Sequence, residues 1–154
     1  MSTFEQTASE TVWTGRIGTV RVERYRHADG EEVVREVVGH PGAVAIAAHD
    51  GTHVWLVRQP REIVGERALL EVPAGKLDED GEDPLEAAKR ELAEEVGKAA
   101  GAWERMKVIY TSPGFTDERI EIVAWPLARL DDAIAATEDA KSLVALLLLR
   151  ARRG

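Results

Sequence analysis

The stretch that most constrains this chain is "GKLDEDGEDPLEAAKRELAEEVG", Gly75 to Gly97. It carries its own start and stop signals. Asp83 precedes Pro84, and Glu86 follows Asp83 by three residues, a capping box with proline at the first helical position. Gly97 stands where a left-handed C-cap belongs. The spacing predicts a helix over 84–96. Leu85, Ala88, Leu92 and Val96 then share one side and form the stripe to be buried. Glu91 and Glu95, one turn apart, flank an edge of that stripe, and Glu94 lies one step further round. Carboxylates in the middle of a polar face are solvated. At the edge of a buried stripe they face neighbouring strand ends, and like charges there repel unless a cation joins them. Hard oxygen ligands of this kind suit Mg²⁺ or Mn²⁺. Arg90 is placed to pair with Glu86 or Glu94. From these residues alone, a solvated acidic helix with surface ion pairs stands beside the metal reading. A calcium loop centred on Gly81 does not, because Lys76 and Ala87 fall where it needs acids.

Around that helix the chain reads as strands. "TVRVERYR" (Thr19 to Arg26) alternates apolar and polar, and "HADGEE" supplies an Asp29-Gly30 turn before "VVREVV" returns, a hairpin signal. Residues 1–40 form a β-rich N-terminal segment. "GAVAIAAHD" and "THVWLVRQ" predict a second strand pair around Asp50-Gly51. "RALLEVPAG" predicts a short strand ended by Pro73 and Gly75, and "WERMKVIY" and "RIEIVAWPL" two more. Short helical patterns cover 130–136 and 141–151, the second with Thr137 as N-cap. Strands and helices are mixed without regular alternation. The expected class is α+β: an α/β/α sandwich around a mixed sheet, with an N-terminal antiparallel β-hairpin, in one domain over 1–154.

Charge and composition exclude several functions. The 154 residues carry 28 Asp and Glu against 20 Lys and Arg, a net charge of −8. That disfavours nucleic acid as a partner, since phosphate neutralisation needs Lys and Arg. A phosphate compound would need a mediating cation. No cysteine is present, which removes disulfides, thiol nucleophiles and thiolate metal sites, and suits a reducing cytoplasm. Met1 to Glu5 has neither the basic nor the apolar region of a signal peptide. The longest apolar run, Leu143 to Leu149, is far short of the ~20 residues that span a bilayer, so no membrane partner is expected.

Gly75, Glu82 and the run Arg90-Glu91-Leu92-Ala93-Glu94-Glu95-Val96-Gly97 together resemble the Nudix box, Gly-x5-Glu-x7-Arg-Glu-U-x-Glu-Glu-x-Gly-U, where U is bulky and apolar. Six residues rather than five separate Gly75 from Glu82, and Lys98 takes the last apolar place. The extra residue falls in the loop before the helix, where insertions are tolerated. "REVVGHPGAVAI", "VRQPRE", "LLEVPAGK" and "YTSPGFTDE" are similar to the ADP-ribose pyrophosphatase branch, as is Pro113, sixteen residues after Gly97.

The resemblance implies metal-dependent hydrolysis of the diphosphate in a nucleotide sugar, ADP-ribose giving AMP and ribose 5-phosphate. It implies Glu91, Glu94, Glu95 and the Ala74 carbonyl as Mg²⁺ ligands, Glu94 also as a water-orienting base, and Arg90 as their orienter. It implies Arg61 on the diphosphate, and Gly114 and Phe115 in a loop beside sugar and phosphates. It further implies a homodimer through residues 1–40, with Trp13 available to stack on adenine. Another nucleotide sugar, such as a GDP-sugar, and a non-catalytic nucleotide-binding module are the competing readings. Family members carry a further strand and acidic loop after "SPGFTDE". About twenty residues of that pattern are missing near Ile120: either they are deleted in this protein or the sequence as given leaves them out, and the second is expected because loss of a central strand would leave a new sheet edge. Glu118 and Glu121 are the nearest acids to serve in place of that loop.

Overall fold

Asp29 and Gly30 close the turn that the sequence predicts, and three antiparallel strands are built around it. The computed structural model describes residues 3–16, 18–50, 53–77, 81–115, 119–124 and 130–151, and only the backbone of 119–124, 130, 132 and 133. The chain divides into two units, residues 1–41 with 110–119 and residues 42–109 with 120–154.

In the first unit β1 (Phe4–Thr14), β2 (Thr19–His27) and β3 (Glu32–Gly39) lie in that order. β2 and β3 register from Thr19 opposite Gly39 to Arg26 opposite Glu32. At the turn the Asp29 carboxylate accepts from the Glu31 amide at 3.0 Å, and Gly30 takes a φ of 91°. β1 was not expected to begin at Phe4. It pairs with β2 along its whole length, yet every residue in it is exposed. A strand with no buried face leaves no alternation to read. Residues 112–115 form a turn in which the Phe115 amide bonds the Ser112 carbonyl at 3.1 Å, and the Phe115 carbonyl accepts from the Val38 amide at 2.8 Å.

The second unit is layered around β4 (Ala43–Ala47). Its sheet runs β7 (Ala74–Lys76), β4, β9 (Arg119–Ala124), β8 (Arg105–Tyr110), with β4 antiparallel to β7 and parallel to β9. Among the described residues β9 lies between β4 and β8, and no further strand joins this sheet. The strand β4 is buried on both faces. Val44, Ile46 and the following Ala48 pack with Ala87, Ala88 and Leu92 of α1 (Pro84–Val96). Ala45 and Ala47 pack with Val72 and with Ala145, Leu146 and Leu149 of the C-terminal helix, Ala140–Ala151. Period-two alternation thus sends one strand's side chains to two helices, an α/β/α arrangement. Each fully buried leucine contributes about 1.5–3 kcal/mol.

Several local expectations are corrected. "THVWLVRQ" does not pair with β4, whose two edges are taken by β7 and β9. Beyond β4 the two stretches do meet as expected around Asp50, through an antiparallel bridge between His49 and Val54, the Trp55 amide on the Ala48 carbonyl at 2.9 Å and the Asp50 amide on the His53 carbonyl at 3.2 Å, while β5 (Val57–Arg61) pairs with β6 (Glu66–Glu71). The buried residues of α1 are Ala87, Ala88 and Leu92, whereas Leu85 is 37% exposed and Val96 half-buried. Small side chains let the helix approach β4 closely. The Asp83 side chain caps both Leu85 and Glu86 amides, but the Glu86 carboxylate binds Lys89 at 2.6 Å rather than completing the box. Thr137 donates to the Leu70 carbonyl, so the C-terminal helix is capped by Asp139, which accepts from the Ser142 amide at 2.9 Å. That helix is α3, and α2 is Leu130–Ala136, as the sequence predicts. Gly51, Asp78, Glu79, Asp80 and Glu118 lie outside the described residues, as does the side chain of Glu121. Among the described residues no helix is long and apolar enough to cross a membrane.

Candidate active site

The caps of α1 behave as read: Asp83 begins the helix, and Gly97, at φ 68°, ends it with its amide on the Ala93 carbonyl at 3.0 Å. Burial of Ala88 and Leu92 against β4 then sets the rotation of the helix. Glu91 and Glu95 fall at its edge, half-buried, and Glu94 is exposed. β7 runs beside that edge, and the contact is close. A Cβ placed on Gly75 would meet Glu91 Oε1 at 1.9 Å and its Cδ at 2.0 Å. Gly75 thus leaves the space that the Glu91 carboxylate occupies, and a side chain there would displace it. Glu95 Oε2 accepts from the Ala74 amide at 3.1 Å, and Glu95 Oε1 accepts from the Gln59 side-chain amide. Ala74, Gly75, Glu91 and Glu95 are thus brought together.

Arg90 is the hub of the polar side. Its Nη1 donates to Glu91 Oε1 at 2.7 Å and stands 3.7 Å from Glu94 Oε2. Its Nη2 lies 3.5 Å from Glu82 Oε1 and donates to the Lys76 carbonyl at 3.4 Å. The sequence paired Arg90 with Glu86 or Glu94. The structure keeps Glu94, replaces Glu86 by Glu82, and adds Glu91. Burial raises the Glu91 carboxyl above the ordinary carboxylate value. The Arg90 hydrogen bond and charge oppose that rise, and the charges of Glu95 and Glu94 add to it.

Among the described residues no three histidine or acidic side chains converge on one point. Glu91 is held by Arg90, and Glu95 by Gln59 and Ala74. The donor set nonetheless fits a hard divalent cation. It offers carboxylate oxygens one helical turn apart beside a strand backbone, with one of them destabilised as an anion by burial and like charge. Glu91, Glu94, Glu95 and the Ala74 carbonyl are the groups that would hold it.

Arg61, at the end of β5, makes a two-pronged bond to Glu71: Nε to Oε1 at 2.6 Å and Nη2 to Oε2 at 2.9 Å. Its Nη2 also donates to Gln59 Oε1 at 2.8 Å. Glu71 is 1% exposed and is bonded by Lys141 from α3 as well. Burial works to raise its pKa, but the bonds and charges of Arg61 and Lys141 outweigh it and leave the carboxyl below the ordinary value. Sequence reasoning passed over Gln59 and Glu71. An acid within the apolar run "LLEVP" was the available signal, because a charge at such a position needs partners.

Gly114, Phe115 and Trp13 belong to the first unit. Phe115 is 56% exposed rather than packed in a core. With Gly114 it lines a groove of about 820 Å³, along with Phe4, Tyr25, Tyr110 and the Arg21–Glu23 pair. Trp13 is 59% exposed and its indole lies over Gly15, where a Cβ would meet the ring at 1.9 Å.

A capped helix with acidic residues along one edge, lying against a mixed sheet in an α/β/α arrangement, is the class of architecture that α1, α3 and β4 define here. The NUDIX domain family model matches residues 39–147, and the chain belongs to the Nudix family. It is 46% identical over 120 residues to an ADP-ribose pyrophosphatase of Mycobacterium tuberculosis, covering 77% of this chain and 58% of that protein. It is 40% identical over 134 residues to the ADP-ribose pyrophosphatase of Bacillus subtilis, covering 86% and 71%. The fold is similar to a solved structure described as an ADP compounds hydrolase, with a TM-score of 0.79 at 26% identity over 97% of this chain and 93% of that one.

Proposed function

We propose that this chain hydrolyses the diphosphate bond of a nucleoside diphosphate sugar, with ADP-ribose giving AMP and ribose 5-phosphate. The observation that carries the reading is the edge of α1, where Glu91, Glu94 and Glu95 stand beside Ala74 and Gly75 under Arg90. The names of the relatives and the solved structure support the substrate class. Mg²⁺, or Mn²⁺ in its place, would neutralise the diphosphate and lower the pKa of a bound water. The residues do the rest. Glu91 and Glu95 supply ligand oxygens from positions set by Gly75 and Ala74. Glu94, the exposed acid of the three, adds a ligand oxygen or takes the proton from attacking water. Arg90 keeps Glu91 oriented, and Arg61 takes a phosphate oxygen. Phe115, Gly114 and Trp13 offer surfaces for sugar and base. The protein works as a cytoplasmic homodimer, with the exposed edge strand β1 in the contact.

The test is phosphate release from ADP-ribose in a phosphatase-coupled assay, with and without Mg²⁺. Turnover that needs Mg²⁺ and is lost in Glu95→Gln, with the fold retained, is the expected result. Preference for a GDP-sugar would move the substrate and leave the chemistry. Binding without turnover of any nucleotide sugar would reduce the protein to a nucleotide-recognition module.

A further inference from the structure

We propose that Glu71 is a positioning residue for the diphosphate-binding arginine, tying Arg61 to the carboxylate Glu95 through one polar chain. The inference rests on the function proposed above. The chain is continuous. Lys141 of α3 bonds Glu71; Glu71 holds Arg61 by two prongs; Arg61 Nη2 bonds Gln59 Oε1; and the Gln59 amide nitrogen bonds Glu95 Oε1. Glu95 in turn accepts from the Ala74 amide. The chain crosses five elements, α3, β6, β5, α1 and β7, with the Arg61–Gln59 link lying inside β5.

Two features separate this from an ordinary surface ion pair. Glu71 is 1% exposed while Arg61 is 43% exposed, so the acid is the fixed end and the arginine is the end that meets solvent. Arg61 Nη1 makes no hydrogen bond among the described residues, whereas Nε and Nη2 are committed to Glu71 and Gln59. A planar fork held on one side presents its other side in a set direction. Such a guanidinium meets an anion with little further loss of side-chain freedom. Lys141 is also bonded to Asp139 at 2.9 Å, which caps α3, so the anchor itself is tied to a helix start.

Glu71→Gln keeps the shape and removes the charge. With the full chain, Mg²⁺ and ADP-ribose, it should raise KM and lower kcat/KM on the order of tenfold. The decisive readout is a cycle with Arg61→Ala. If Glu71 acts through Arg61, adding Glu71→Gln to Arg61→Ala costs no more than about twofold further. Full additivity, or wild-type kinetics in Glu71→Gln, would overturn the inference while leaving the proposed function standing. Should Glu71→Gln fail to fold, Arg61→Lys keeps a charge but not the fork and should show the same rise in KM. Wild-type KM there would overturn the inference equally. No turnover of ADP-ribose by the wild type would overturn both this inference and the function on which it rests.

Discussion

Glu71 and Glu91 are both carboxylates drawn out of water, and burial acts on both in the same direction. They end on opposite sides of the ordinary value: Glu71 below it, Glu91 above it. The difference lies in what surrounds them. Glu71 has two cations bonded to it, Lys141 being shared with Asp139, while Glu91 has one arginine, shared with Glu82 and Glu94, and the charges of Glu94 and Glu95 near. The first site is balanced by the protein itself. The second is left short of positive charge, which is the electrostatic condition for taking up a cation.

Four experiments would break or sharpen that contrast. The largest effect is expected from Glu71→Ala, which removes both prongs from Arg61 and leaves Lys141 to Asp139 alone, and should cost about 3 kcal/mol in denaturant unfolding. A loss below about 0.5 kcal/mol would show the pair to be no better than a surface one. Next, Gly75→Ala drives a methyl into Glu91. It should cost about 1–3 kcal/mol and blunt Mg²⁺-dependent turnover together. Normal turnover would show that Glu91 can move without consequence. Third, Glu91→Gln should stabilise the metal-free protein by about 1 kcal/mol and reduce the rise in melting temperature on adding Mg²⁺. An unchanged Mg²⁺ response would remove Glu91 from the ligand set. The smallest effect is on pH. The stability contributed by Glu71, whose folded pKa is lowered, is present above the ordinary carboxylate value and is lost as pH falls through the folded value. That of Glu91, whose folded pKa is raised, is present below the ordinary value and lost as pH rises through the folded one. Comparing acid limbs of Glu71→Gln and Glu91→Gln should therefore show slopes displaced in opposite senses.

The legible parts of this chain were those written in local chemistry. The bounds of α1 follow from Asp83, Pro84 and Gly97, and the edge position of Glu91 and Glu95 follows from helical geometry. The β2–β3 hairpin follows from alternation and an Asp-Gly turn. What could not be read depended on partners distant in sequence. β5 looks like a partner for β4, and it is excluded only because β7 and β9 occupy both edges. Thr137 looks like a cap, and it is claimed by the Leu70 carbonyl. Gly75 reads as a strand stop, and its function as space for Glu91 needs the helix laid against the strand. The Arg61–Glu71–Lys141 assembly draws on residues 80 positions apart, between Arg61 and Lys141, and no local pattern announces it.

The double burial of β4 has a consequence for how the protein is made. One face of that strand is completed by α1, which follows within the next segments of chain, and the other by Ala145, Leu146 and Leu149. During synthesis the first half of the core can therefore assemble early, while Ala45 and Ala47 wait for Ala145, Leu146 and Leu149, far later in the sequence. Contacts of such long sequence separation slow folding, and the waiting apolar face is exposed to aggregation and to chaperones until α3 arrives.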